Sequence, residues 1–140
     1  MSLIKILLGY RDFATLQDLR RAISKNEANS IEKVNEMLLF ETKLQKTWLI
    51  CTNNALYCAL DDIRKNSSDI RWKLSKTEII RQNEIKISLN IRDDQHKPEK
   101  YGRVDFGNYH KNWLYSKSLF TRPEKLRSMF QELIRVSMLS

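Results

Sequence analysis

Thr47-Trp48-Leu49-Ile50-Cys51-Thr52-Asn53-Asn54-Ala55-Leu56-Tyr57-Cys58-Ala59-Leu60 is the stretch whose reading decides the fold. Two β-rich runs flank Asn53-Asn54, and asparagine is the non-glycine residue that best tolerates the positive φ of a tight hairpin turn. With those two residues as the loop, Ile50 faces Tyr57, Cys51 faces Leu56 and Leu49 faces Cys58. Alternation then puts Leu49, Cys51, Leu56 and Cys58 on one face and Trp48, Ile50, Tyr57 and Ala59 on the other. Both faces are apolar. Such a hairpin cannot lie at a solvated edge, so other segments must cover it on two sides.

The chain of 140 residues is long enough for one domain with a real core. Apolar residues make up 41% and charged residues 30%, as in ordinary globular proteins. The apolar run from Leu3 to Leu8 is interrupted by Lys5 and is too short to span a bilayer. It also lacks the flanks of a signal peptide, which points to a cytoplasmic protein. Lys and Arg number 25 against 17 acids, a net +8 that favours nucleic acid, anionic lipid or an acidic protein surface as partner. A soluble protein of high pI accounts for the same excess. The two cysteines, with six residues between them, do not resemble a zinc ligand set. They lie diagonally in the hairpin, a poor disulfide geometry, and read as buried reduced thiols.

Before the hairpin, Phe13, Leu16, Leu19 and Ile23 recur at helical spacing, with Asp12 to cap and Lys25-Asn26 to end the helix. Ser30 looks like the N-cap of a second helix carrying Ile31, Val34 and Met37/Leu38. A strand begins near Leu38, and no turn residue separates it from Trp48-Ile50. After the hairpin come a polar loop from Asp61 to Asp69, a half-buried strand with Ile70, Trp72 and Leu74 inward, and a short strand over Thr77 to Gln82. Ile85, Ile87, Leu89 and Ile91 alternate most clearly of all. Asp93 to Lys100 is a charged loop, and Tyr101 to Phe106 and Asn112 to Ser116 supply two more strands. Thr121-Arg122-Pro123-Glu124 has capping-box spacing ahead of a final helix, whose stripe is Leu126, Met129, Phe130, Leu133 and Ile134.

About seven strands followed by one amphipathic helix is the element order of pleckstrin-homology-like (PH-like) domains. Trp48-Leu49-Ile50-Cys51-Thr52 followed by Leu56-Tyr57 resembles the hydrophobic–Thr–turn–Leu–Tyr pattern of their bacterial members. The Trp113-Leu114-Tyr115 run and the helix after Thr121 sit where that fold has its last strand and closing helix. The resemblance covers Leu38 to Leu139. It implies two nearly orthogonal sheets in a partly open barrel, and a binding module directed to phosphoinositides, to proteins or to itself. Lipid-binding members carry a basic motif across their first two strands, where this chain has Lys43 and Lys46 followed by apolar Trp48-Leu49. That departure weighs against headgroup recognition.

Outward residues Arg71, Lys73, Lys86 and Arg92 make an anion-binding face if their two strands are neighbours, and Lys97, Lys100 and Arg103 would extend it. Glu84 and Asp105 interrupt it. Asp69 with Glu84-Ile85-Lys86 has the order of a metal-dependent nuclease set, in which carboxylates hold the metal and the lysine stabilises developing charge. His96, beside Asp93-Asp94, and His110 are the chain's imidazoles. No nucleophile elbow and no phosphate-cradling glycine loop is present.

The expectation is an α+β fold: mostly antiparallel sheets forming a PH-like partly open barrel, capped by an amphipathic C-terminal helix, with N-terminal helices. Residues 1–37 are expected to be a helical segment packed on the domain, and residues 38–140 the barrel and its helix. The expected function is a non-catalytic interaction module, protein-directed or self-associating. A nucleic-acid or anionic-lipid binder is the alternative and a nuclease a weaker one. No cofactor and no metal is expected. The apolar residues Leu3, Ile4, Ile6, Leu7 and Leu8 exceed what a small domain leaves bare, so they are expected to cover the barrel or a neighbouring subunit.

Overall fold

The computed structural model describes residues 3, 7–27, 30–107 and 111–139. Ile4, Ile6 and His110 lie outside the described residues. In chain order the elements are α1 (Leu16–Ser24), β1 (Val34–Glu41), β2 (Gln45–Thr52), β3 (Ala55–Asp62), β4 (Asp69–Ser75), α2 (Lys76–Ile79), β5 (Ile80–Arg81), β6 (Glu84–Ile85), β7 (Leu89–Asp93), β8 (Tyr101–Phe106), β9 (Asn112–Ser116) and α3 (Pro123–Ile134), which runs into a π-helical turn over Arg135–Leu139. The strands make three antiparallel sheets, ordered β1-β2-β3-β4, β5-β6 and β7-β8-β9. The α+β class and the capping C-terminal helix are as expected. The sheets are open, and no closed barrel forms.

The β2–β3 hairpin has the register its sequence implies, with Ile50 opposite Tyr57, Cys51 opposite Leu56 and Leu49 opposite Cys58. Its faces feed two separate clusters. Leu49, Cys51, Leu56 and Cys58 pack with Val104, Phe106, Leu126, Phe130 and Ile134, between the four-stranded sheet, the three-stranded sheet and α3. A chain of rings ties the three together: Trp72 lies 5.0 Å from Phe106, which lies 5.4 Å from Phe130. Ile50, Tyr57 and Ala59 pack on the other side with Leu19 and Ile23 of α1. A fully buried side chain of this kind contributes about 1.5–3 kcal/mol, so α1 is held mainly by its two anchors.

The turn of that hairpin works by a route the sequence reading did not give. Asn53 and Asn54 are not in left-handed backbone; the non-glycine residues that are, among those described, are Gln82 (φ 53°) and Asn83 (φ 62°), which turn β5 into β6. The Thr52 hydroxyl instead accepts from the N–H of Asn54 (3.0 Å) and of Ala55 (3.1 Å). The asparagine side chains are left to reach outward. Asn54 donates to Glu27 (2.7 Å), and Asn53 Oδ1 accepts from the Glu32 N–H (2.8 Å).

That last bond helps explain the largest correction. The helix expected from Ser30 over Val34 and Met37/Leu38 is the strand β1, starting at Val34 rather than Leu38. The backbone reaching it is tied to the hairpin turn, and pairing with β2 from Val34 onward overrides a spacing that also suits a helix. A register shift between Leu38 and Phe40 buries the consecutive residues Leu39 and Phe40. Nor does β1 run on into β2. Thr42 turns the chain, its hydroxyl accepting from the N–H of Leu44 (3.2 Å) and Gln45 (3.0 Å).

Smaller departures have similar causes. The cap of α1 is Thr15, not Asp12, in a reciprocal box with Asp18. Ser75 and Glu78 form the same box at α2, so the strand expected over Thr77 to Gln82 opens as a helical turn. The alternation from Ile85 to Ile91 is split into β6 and β7, although Ile87 between them stays buried. At α3, Arg122 is the N-cap without a side-chain bond, and Pro123 begins the helix; no capping box forms at Thr121. Met129 stands 40% exposed, outside the buried stripe of Leu126, Phe130, Leu133 and Ile134.

Candidate functional site

The four basic residues of the expected anion face sit on different elements and turn to different partners. A register shift between Cys58 and Ala59 breaks the simple alternation of β4. Arg71 pairs with Asp69 (3.1 Å) and stacks its guanidinium 5.7 Å from the centre of the Trp113 ring on β9. Lys73 lies 5.5 Å from the Tyr57 ring, on the side of the second cluster. Arg92, on β7, is paired with Asp105. Lys86 is exposed in the link between β6 and β7. Of the extension, Arg103 pairs with Asp94 (3.5 Å), while Lys97 and Lys100 are exposed in the β7–β8 loop. Arg71, Arg92 and Arg103 each already have a carboxylate partner.

Asp69 and Glu84 line different clefts, the first beside α1 and the second beside α3. Among the described residues no group of three or more His, Cys, Asp or Glu side chains is placed to hold a metal ion. His96 lies exposed in the turn that Asp94 organises by accepting from the Lys97 N–H (3.0 Å). That bond is the main cause that draws the Asp94 carboxyl below its ordinary range.

The most elaborate polar arrangement escaped the sequence reading. Asp61, with its side chain fully buried at the end of β3, accepts from the Ala14 N–H (2.6 Å) and pairs with Arg11. Arg11 also donates to the carbonyls of Lys65 (2.7 Å), Asp62 (3.1 Å) and Asp12 (2.9 Å). Next to it, the Arg64 guanidinium and the Gln45 amide grip Asp62 and hold its carboxyl far below the usual range. This knot straps residues 11–14 to the β3–β4 loop, leaving between α1 and that loop a polar cleft of about 850 Å³. Two acids closing an apolar strand were the available signal; their partner, Arg11, lies 50 positions away, where no local pattern points.

Cys51 and Cys58 are free and buried, as expected. Burial pushes the Cys51 thiol up to about 12 and the Cys58 thiol up as well, so neither is a nucleophile at neutral pH. Ahead of the strap, Leu3, Leu7 and Leu8 are 69%, 76% and 57% exposed. They do not cover their own sheets. Gly9, at φ +72°, turns the backbone between these leucines and Arg11.

No protein-family model, no curated protein and no solved structure matches this chain. Among the described residues no helix is long and apolar enough to cross a membrane.

Proposed function

We propose that the chain is a non-catalytic, self-associating interaction module of PH-like build, acting in the cytoplasm. The single observation that carries this reading is the exposure of Leu3, Leu7 and Leu8 on a protein whose two clusters are otherwise well closed. Exposing these leucines to water is unfavourable, and a protein surface that buries them recovers about 25 cal/mol per Å² of apolar area. The PH-like build is supported by element order: a four-stranded sheet, a three-stranded sheet and a closing helix, with the β5–β6 hairpin and α1 as additions.

The test is sedimentation velocity across a concentration series, comparing the full chain with Leu3→Ser/Leu7→Ser/Leu8→Ser. These sites are exposed, so far-UV circular dichroism should be the same for both. The expected outcome is reversible association of the wild type that the triple variant loses. A wild-type chain that stays monomeric throughout the series, or that binds anionic vesicles without changing mass in solution, overturns the reading.

A further inference from the structure

We infer that the polar cleft between α1 and the β3–β4 loop takes a short zwitterionic peptide, its amine at Asp12 and its carboxylate at Lys25. The leucines before Gly9 play no part in it. At about 850 Å³ the cleft lies in the size range of ligand pockets. One wall is a stripe of α1, along which Asp18, Arg21, Ala22 and Lys25 recur at helical spacing. The other wall carries Asn66, Ser67 and Ser68 of the loop. Arg11, bound to Asp61 and to the Lys65 carbonyl, ties the two walls together at one end.

Charge decides what class of ligand fits. In a chain of net +8 this cleft is balanced, with Arg11, Arg21 and Lys25 against Asp12, Asp18 and Asp69. A polyanion would lose to the carboxylates what it gains from the cations. Four of the six charges are already committed within the chain: Arg11 to Asp61, Arg21 to Asp18 (3.5 Å) and Asp69 to Arg71 (3.1 Å). Among the described residues Asp12 and Lys25 have no ion-pair partner, and the side chains of Asn66, Ser67 and Ser68 make no hydrogen bond. One carboxylate and one ammonium are thus left over, at opposite ends of the helix. Asp12 precedes α1 and Lys25 is its C-cap, and the nine helical residues between them span about 13 Å. An extended peptide rises about 3.3 Å per residue, so roughly four residues bridge that span. Its own N–H and C=O groups then meet the free amide and hydroxyls of the loop.

The test is an NMR titration of the full chain with tetra-alanine, followed through the backbone amides. Saturable shifts are expected at Ala22, Lys25 and the loop from Asn66 to Asp69. N-acetylating or C-amidating the peptide is each expected to weaken binding about twofold to fivefold, the range of an exposed ion pair. Asp12→Asn should become indifferent to acetylation while still sensing amidation, and Lys25→Gln should do the reverse. Both positions are exposed, so the variants should keep the wild-type circular dichroism spectrum, and the blocked peptides test the same claim on the wild type if one of them does not. Absence of shifts in the cleft overturns the site. Saturable binding indifferent to both blocks, as a neutral polar ligand would give, overturns the zwitterion. Sensitivity to amidation alone overturns the role given to Asp12. Larger shifts of the same amides with inorganic phosphate would make the cleft an anion site and overturn the peptide.

Discussion

Replacing Ile23 by alanine asks whether α1 belongs to the core or merely lies on it. Ile23 is buried against the face of the hairpin that carries Ile50, Tyr57 and Ala59, and Leu19 is the only other buried residue of its helix. Truncating a buried isoleucine to alanine costs about 2–5 kcal/mol, transfer and cavity together. Against a net stability of roughly 5–15 kcal/mol that is a large fraction. Urea denaturation followed by circular dichroism should therefore show a midpoint lowered by that cost divided by the slope, with the slope itself unchanged, since the same surface is exposed on unfolding. Leu126→Ala, in the cluster on the opposite face, is the companion measurement. The two losses should add to within about 0.5 kcal/mol, because the residues belong to different clusters. A cost for Ile23→Ala within about 0.5 kcal/mol of zero, as at an exposed site, would refute the claim that the hairpin is walled on both sides.

Two further outcomes follow from groups already placed. The Asp62 carboxyl is depressed in the folded state, chiefly by Arg64, so the stability it contributes is fully present above its unfolded pKa of about 3.9 and is lost as pH falls through the folded value. Below about pH 4 the wild type should lose stability more steeply than Asp62→Asn, measured as urea midpoint against pH; equal slopes would show that Asp62 gains nothing from its partners. Cys51 and Cys58 should be silent to a disulfide-exchange thiol reagent in the native protein and both react on unfolding, so rapid native labelling would mean that the inner face of the hairpin opens.

The hairpin and the last helix were legible because each repeats one period over enough residues. Leu49, Cys51, Leu56 and Cys58 can share a face only in a strand, and Leu126, Phe130, Leu133 and Ile134 only in a helix. Val34 to Met37 reads as helix because Ile31, Val34 and Met37 satisfy a helical period that the neighbouring β2 overrules. Its turn was missed because Thr42 performs with a hydroxyl what glycine or asparagine performs with backbone freedom. The basic residues were less legible still. Counting alternate positions from Ile70 puts Arg71 and Lys73 together, but the shift opposite Cys58 and Ala59 breaks that count, and Arg71 stacks on Trp113 while Lys73 rests over Tyr57. The Arg11 knot depends on a meeting between distant parts of the chain, and the exposure of the first leucines depends on what the fold leaves uncovered.

Arg11 stands three positions after Leu8, and its guanidinium is fastened to Asp61 and to the carbonyls of Asp62 and Lys65. A partner that pulls on the leucines therefore does not tug at a loose tether. Beyond the swivel at Gly9 the load passes into the end of β3, and from there into the loop that walls the polar cleft. Arg11→Ala would take from the fully buried Asp61 its charged partner and untie residues 11–14 from the loop that walls that cleft.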